Sequence, residues 1–220
     1  LRYVLPHRKE AYDEKYSQEV RGGTGYFRQA DREESLIHLL RVNILKRMES
    51  AVHAFALTIE RQLRDVEATL TRIEAHDADF EELDISDIDP DDPAFEALLV
   101  GKKVRVLLSD VDLIRWRHDL LEDRNRLRAL LASAREVTAR RDAKLSRLRD
   151  LIQEKCRNPI NPGNRKILLF SAFAETAAYL YQDLSVWAKV ELGIEAALVT
   201  GSGGNDTTLR IAEIMFTEYR

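Results

Sequence analysis

The chain is short of the residues that staple, break or loosen a fold. Of its 220 residues one is cysteine, five are proline and nine are glycine. Cys156 has no partner for an internal disulfide, which points to a reducing compartment. With so few Gly and Pro, little interrupts a helix, and aromatics at 7% leave few large anchors for a sheet core. No apolar run approaches the roughly 20 residues that span a bilayer, and no signal-peptide pattern opens the sequence. A cytoplasmic protein without a membrane partner is the expectation. The five histidines are scattered without metal-ligand spacing, and none stands at nucleophile spacing from Cys156. The net charge of −4 by itself argues against a nucleic-acid binder.

What is abundant is charge, at 33% of residues, and it is unevenly placed. Ten acidic residues and no Lys or Arg lie between Asp77 and Glu96. Setting them aside turns the net charge of −4 into about +6. This block carries Pro90 and Pro93 and reads as a solvated loop, over 76–98, between two helical arms. It lacks the central Gly and terminal Glu of a calcium loop. On its N-terminal side Met48, Val52, Phe55, Ile59, Leu63, Val66, Leu70 and Ile73 step by threes and fours, the seam of one long helix from about Ile44 to Ala75. On the other side a second seam runs through Val106, Leu113, Trp116, Leu120, Leu127, Leu130, Ala134 and Val137, broken at Ser109 and Asp123. Both seams need cover from water, and an antiparallel hairpin is the simplest way to give it. The arginines of this second arm interleave with acids, so part of their charge is spent on intrahelical pairing.

A third helix is expected from Asp142 to Cys156, on Leu145, Leu148 and Ile152. "NPINPGN" then stops it, because Pro159 and Pro162 cannot continue a helix. This sets a boundary between a helical region, 1–158, and a second domain, 164–220. Beyond it the period changes. An apolar strand, Ile167–Phe170, leads to a helix over Ala174–Glu191, ended by Gly193. A second strand, Ala196–Thr200, precedes "GSGGND" and an amphipathic stretch through Leu209, Ile211, Ile214, Met215 and Phe216. Strand, helix, strand, helix with short links predicts a parallel sheet with helices on its faces. Ligands gather at the carboxyl ends of such strands, where Ser171 and Thr200–Gly201 fall. The expected fold class is α-rich α/β: a long helical hairpin followed by a partial parallel-sheet lobe.

"RKILLFSAFAETAAYLYQDL" resembles motif IV and its flanks in superfamily 2 helicases, most of all the Swi/Snf-type DNA translocases. Their second RecA-like lobe opens with a basic strand, Phe-Ser, a variable residue, Phe, and a helix. "ALVTGSGG" resembles the next strand, which ends in Thr-Gly, and Arg210 and Phe216 match a following helix. Upstream, "LLRVNILKRMESAVHAF", Leu39 to Phe55, resembles the Leu-Leu-Lys-Arg-(Leu)-Glu-Ser-Ser stretch of bacterial members, with Ala51 in place of the second Ser. "DAKLSRLRDLI" resembles the Asp-x-Lys-Leu-x-x-Leu helix that precedes the second lobe. The blocks stand in the family's order and cover about four-fifths of the chain.

The departures are equally specific. No Gly-x-Gly-Lys-Thr and no Asp-Glu-x-His stretch is present, and the sequence ends before the motifs that carry the arginine fingers. The resemblance therefore implies a middle piece: the interlobe helical region plus the opening of lobe two. The parent protein would be a DNA-dependent ATPase using ATP and Mg²⁺, located with the bacterial nucleoid in the cytoplasm. This piece alone would be inactive and hold neither cofactor. Its implied partners are the first lobe of the same protein and a DNA backbone, gripped without sequence preference. The resemblance implies Ser171, Thr200 and Gly201 as backbone contacts, with Phe170 and Phe173 packing. Lys46 and Arg47, with Glu49 and Ser50, take either an interlobe or DNA-facing role or the place of an ordinary solvated helix face. The competing reading is a non-enzymatic helical hairpin that binds another protein through its arms. The ordered lobe-two blocks separate the two, since a coiled-coil adapter has no use for them.

Overall fold

In the computed structural model the described residues are 2–16, 18–19, 26–74, 82–84, 105–201 and 206–208. They are mostly helical, with six α-helices and three short antiparallel strand pairs among them. The helices are α1 (Pro6–Tyr16), α2 (Gln29–Ser50), α3 (Val52–Glu74), α4 (Leu113–Arg135), α5 (Ala143–Arg157) and α6 (Ala174–Trp187). The strands are β1 (Gln18–Glu19) with β2 (Tyr26–Phe27), β3 (Glu82–Asp84) with β4 (Arg105–Leu107), and β5 (Ala197–Leu198) with β6 (Asp206–Thr207). No described helix is long and apolar enough to cross a membrane.

The chain divides into two compact units, Leu1–Leu45 with Ile59–Leu130, and Lys46–Thr58 with Leu131–Arg220. The expected boundary at 158–164 does not separate them. α5 buries Leu145 and Ile152 against Leu184 of α6, so the Pro159–Pro162 turn lies inside the second unit. An apolar helix face stays with whatever covers it, and a proline turn does not alter that.

In the first unit Val4, Tyr12, Val106 and Val111 form a buried cluster. Val4 bridges Val111, and Leu5 N–H donates to the Asp110 carbonyl at 2.8 Å. The Tyr12 hydroxyl donates to Asp110 at 2.8 Å and accepts from Leu107 N–H at 3.1 Å. Tyr3 donates to Asp119 at 2.8 Å and stacks on Trp116. Trp116 is accordingly part of the packing. Arg128 of α4 pairs with Glu67 of α3, and Arg117 with Glu74 at 3.0 Å. Contacts that descend along one helix as they ascend along the other define antiparallel helices, as the two seams require.

Two details of the arms differ from expectation. The first seam is carried by two helices that meet at Ala51, although Ala51 N–H still donates to the Arg47 carbonyl and Phe55 N–H to that of Ala51. Ile59, Leu70 and Ile73 of the seam are buried, while Met48 is exposed. The acidic block is not wholly loop. Glu82–Asp84 pairs antiparallel with Arg105–Leu107, with Leu83 opposite Val106. A three-residue pairing of this kind depends on its distant partner, and local acidity hides it. The rest of 76–98 lies outside the described residues.

The second unit packs α5 against α6 around Leu145, Ile152 and Leu184, with Ile167, Leu180 and Trp187 at its margin. Asp142 caps α5, accepting from Leu145 N–H at 3.0 Å. After Trp187 the helix widens into a π-turn, Ala188–Leu192, and stops at Gly193, whose φ of 65° favours glycine.

The expected parallel sheet is corrected here. β5 pairs with β6 in antiparallel register, Ala197 opposite Thr207 and Leu198 opposite Asp206. The link between these strands is too short for anything else, since a parallel return needs a crossover of about a dozen residues. Residues 164–173 form neither strand nor helix, so the expected strand Ile167–Phe170 is absent. A strand exists only through pairing, and no described backbone pairs with this stretch. Leu168 and Phe170 are 82% and 93% exposed. The amphipathic stretch from Leu209, with Arg210 and Phe216, lies outside the described residues.

Candidate functional site

Three residues one helical turn apart, Arg47 and Ser50 on α2 and His53 on α3, meet three residues at the start of α6. The Arg47 guanidinium pairs with the Glu175 carboxylate at 3.0 Å. The Ser50 and Thr176 hydroxyls share a hydrogen bond of 2.9 Å. The His53 and Tyr179 rings stack with centroids 4.8 Å apart. The spacing comes from the helix itself, because residues at i and i+3 share a face.

A third strip of sequence closes the cluster. The Lys144 ammonium donates to the Glu49 carbonyl and, at 3.4 Å, to the Ser50 carbonyl, among the last of α2. Such carbonyls lack helical partners and attract a cation. Tyr179 donates its hydroxyl to Asp142 at 2.9 Å, the same carboxylate that caps α5. Burial, and then this bond to Asp142, pushes the Tyr179 phenol well above its ordinary range. One carboxylate thus fixes the start of α5 and the face of α6 together.

Arg47 has only 3% of its side chain exposed, and Glu175 18%. The guanidinium also lies 4.8 Å from the centre of the Phe173 ring. A planar cation between a carboxylate and an aromatic face is a favourable way to bury charge. Glu175 sits in the first turn of α6, where a negative charge complements the helix dipole.

Of the five residues singled out in the sequence, Arg47 is therefore inside, and its neighbour Lys46 is exposed. Ser171 is exposed, but its hydroxyl closes a local turn. It accepts from Phe173 N–H at 3.2 Å and donates to the Phe173 carbonyl at 3.1 Å. Thr200 is half-buried and Gly201 exposed. A side chain at Gly201 would meet no atom within 4 Å, so packing does not demand glycine there. Ser171 lines a shallow cavity of about 150 Å³ with Phe170, Leu180, Tyr181, Leu198 and Val199. The two segments expected to be neighbouring strands thus flank one groove beside α6. The Tyr181 phenol on its wall is pushed up by burial and then by Asp206.

Sequence reasoning missed His53, Asp142, Lys144, Glu175, Thr176 and Tyr179 as members of one cluster. Each lies within a block quoted above, but nothing local links positions 126 or 128 residues apart. No protein-family model, curated protein or solved structure matches the chain.

Proposed function

We propose that the chain supplies the interlobe helical region and the opening of the second RecA-like lobe of a Swi/Snf-type, ATP-dependent DNA translocase. The observation that carries this reading is the convergence of three sequence blocks. Arg47 and Ser50 belong to the upstream block, Asp142 and Lys144 to the helix before the lobe, and Glu175, Thr176 and Tyr179 to the motif IV helix. They form one hydrogen-bonded cluster.

In this reading the cluster anchors the first helix of lobe two to the end of α2 and the start of α3. DNA and the first lobe of the same protein are the partners. The sequence holds no phosphate loop, and this reading leaves ATP and Mg²⁺ to other parts of the parent protein. Nucleotide chemistry is assigned to the first lobe. Here the task is mechanical, holding and moving a DNA backbone through Ser171 and Thr200–Gly201.

The test is a DNA titration of ATP hydrolysis by the full-length gene product, wild type against Ser171→Ala with Thr200→Ala. The expected result is DNA-stimulated turnover with half-saturation shifted to higher DNA in the variant, equally for all sequences. Each lost contact should cost on the order of 0.5–1.5 kcal/mol, or up to about 3 against a charged phosphate. Hydrolysis indifferent to DNA in the wild type would remove the translocase reading and favour the interaction module.

A further inference from the structure

Residues 167–170 alternate as a strand does, although nothing described pairs with them. Ile167 packs on the Leu145, Ile152 and Leu184 core, and Leu169 lines the groove beside α6. Leu168 and Phe170, between and after them, face water. No backbone N–H or carbonyl of 167–170 finds a partner among the described residues. Across the groove, β5 is bonded on one edge only, to β6, and the adjoining Val199 is exposed. From 167 to 174 the sequence carries no charge, no Pro and no Gly. Those are the devices that normally keep an open strand edge from pairing.

The groove therefore has an open edge on each side and an apolar floor of Ala177, Leu180 and Leu184. What fits it is one extended, uncharged segment, apolar toward the floor, with both of its own edges free to bond. The chain already presents that segment beside the groove: 167–170 itself. Two copies related by a two-fold axis can each lend it to the other. The strand order is then β5 of the first copy, 167–170 of the second, 167–170 of the first, and β5 of the second. Every edge that flanks the groove in one copy is paired, and the arrangement closes at two copies. An antiparallel crossing centred on Leu169 sets Leu168 opposite Phe170 of the second copy, so that these exposed side chains cover one another. It also sends Arg165 and Lys166, the cations before the run, to opposite ends, where a parallel crossing would set them side by side.

We propose that the groove between 167–170 and β5 is the interface of a symmetric dimer, in which 167–170 of each copy adds a strand to the groove of the other. The inference does not depend on the translocase reading.

The experiment is light scattering after size exclusion, on full-length protein over a wide range of loading concentration. Three proteins are compared: wild type, Leu168→Lys with Phe170→Lys, and a control of equal charge change outside the groove, Ile160→Lys with Val190→Lys. All four sites are exposed, so neither variant gives up core, and circular dichroism checks that the fold is kept. The wild type and the control should show twice the mass of one chain, falling toward one chain on dilution. The 168 and 170 variant should show one chain at every concentration. Leu169→Cys should cross-link between copies with a short thiol reagent, and Ile160→Cys should not. A wild type that is a single chain throughout overturns the inference, the groove then belonging to another occupant. A dimer that survives Leu168→Lys with Phe170→Lys, one that the control loses equally, or cross-linking as strong through Ile160→Cys also overturns it. Each of these results leaves the translocase reading intact.

Discussion

Arg47 shows how much one side chain carries. Its guanidinium is held by Glu175 and the Phe173 ring, out of water. Arg47→Ala takes from the Glu175 carboxylate its buried guanidinium partner, which should cost on the order of 3–5 kcal/mol. Lys46→Ala, one residue away and exposed, should stay within about 0.5 kcal/mol of wild type. Urea unfolding of the two variants checks this, and equal losses would show that the pair carries no stability. Replacing Arg47 and Glu175 together by Met and Leu should recover much of the loss, because both ends of the buried ion pair are then removed.

Tyr179 gives a pH signature. Its phenol donates to Asp142, so the folded state favours the protonated form. A folded pKa above the unfolded value of about 10 means that this stability is complete below pH 10 and lost as pH rises beyond it. Tyr179→Phe should lower the melting temperature at neutral pH, for a loss of about 0.5–3 kcal/mol. It should also flatten the decline between neutral and strongly alkaline pH. Tyr3 and Tyr12 are shifted upward too, first by burial, so part of the decline remains. Parallel alkaline slopes for variant and wild type would contradict the assignment to Tyr179.

At the scale of elements, the helices and strands differed in how openly they were written. The seam of α3 was legible because apolar spacing of three and four has one solution in a chain with so little Gly and Pro. α5 was legible from Leu145, Leu148 and Ile152 and the prolines beyond. The strands were not, since pairing is set by residues far away. Glu82–Asp84 looks like solvated acid until Arg105–Leu107 is beside it, and Ile167–Phe170 looks like a strand although nothing described pairs with it. Lys46 and Arg47 read as one cationic feature. A helix turns about 100° per residue, which puts one outside and the other in the interior.

These readings predict opposite sizes of effect along the hairpin. Ile59→Asp buries a charge where 2% of the residue is exposed and should cost at least the roughly 2–5 kcal/mol of a large-to-small core change. Deleting Asp79–Pro90 removes the strand that pairs with Arg105–Leu107, so it should lower the melting temperature measurably, by less than Ile59→Asp does. A deletion that leaves the melting curve unmoved would return the whole acidic block to solvent.

For the molecule as a whole, the account makes this chain the mechanical part of a larger engine. Under the proposed function its Arg47–Glu175 cluster secures the opening helix of the second lobe, and Ser171 and Thr200–Gly201 hold a DNA backbone. The most direct measurement is phosphate release from ATP, with duplex DNA titrated, for the full-length gene product and for residues 1–220 alone. The account predicts that DNA raises turnover by the full-length protein, while residues 1–220 release no phosphate at any DNA concentration. Turnover that copurifies with residues 1–220, or a full-length protein whose hydrolysis ignores DNA, would contradict it.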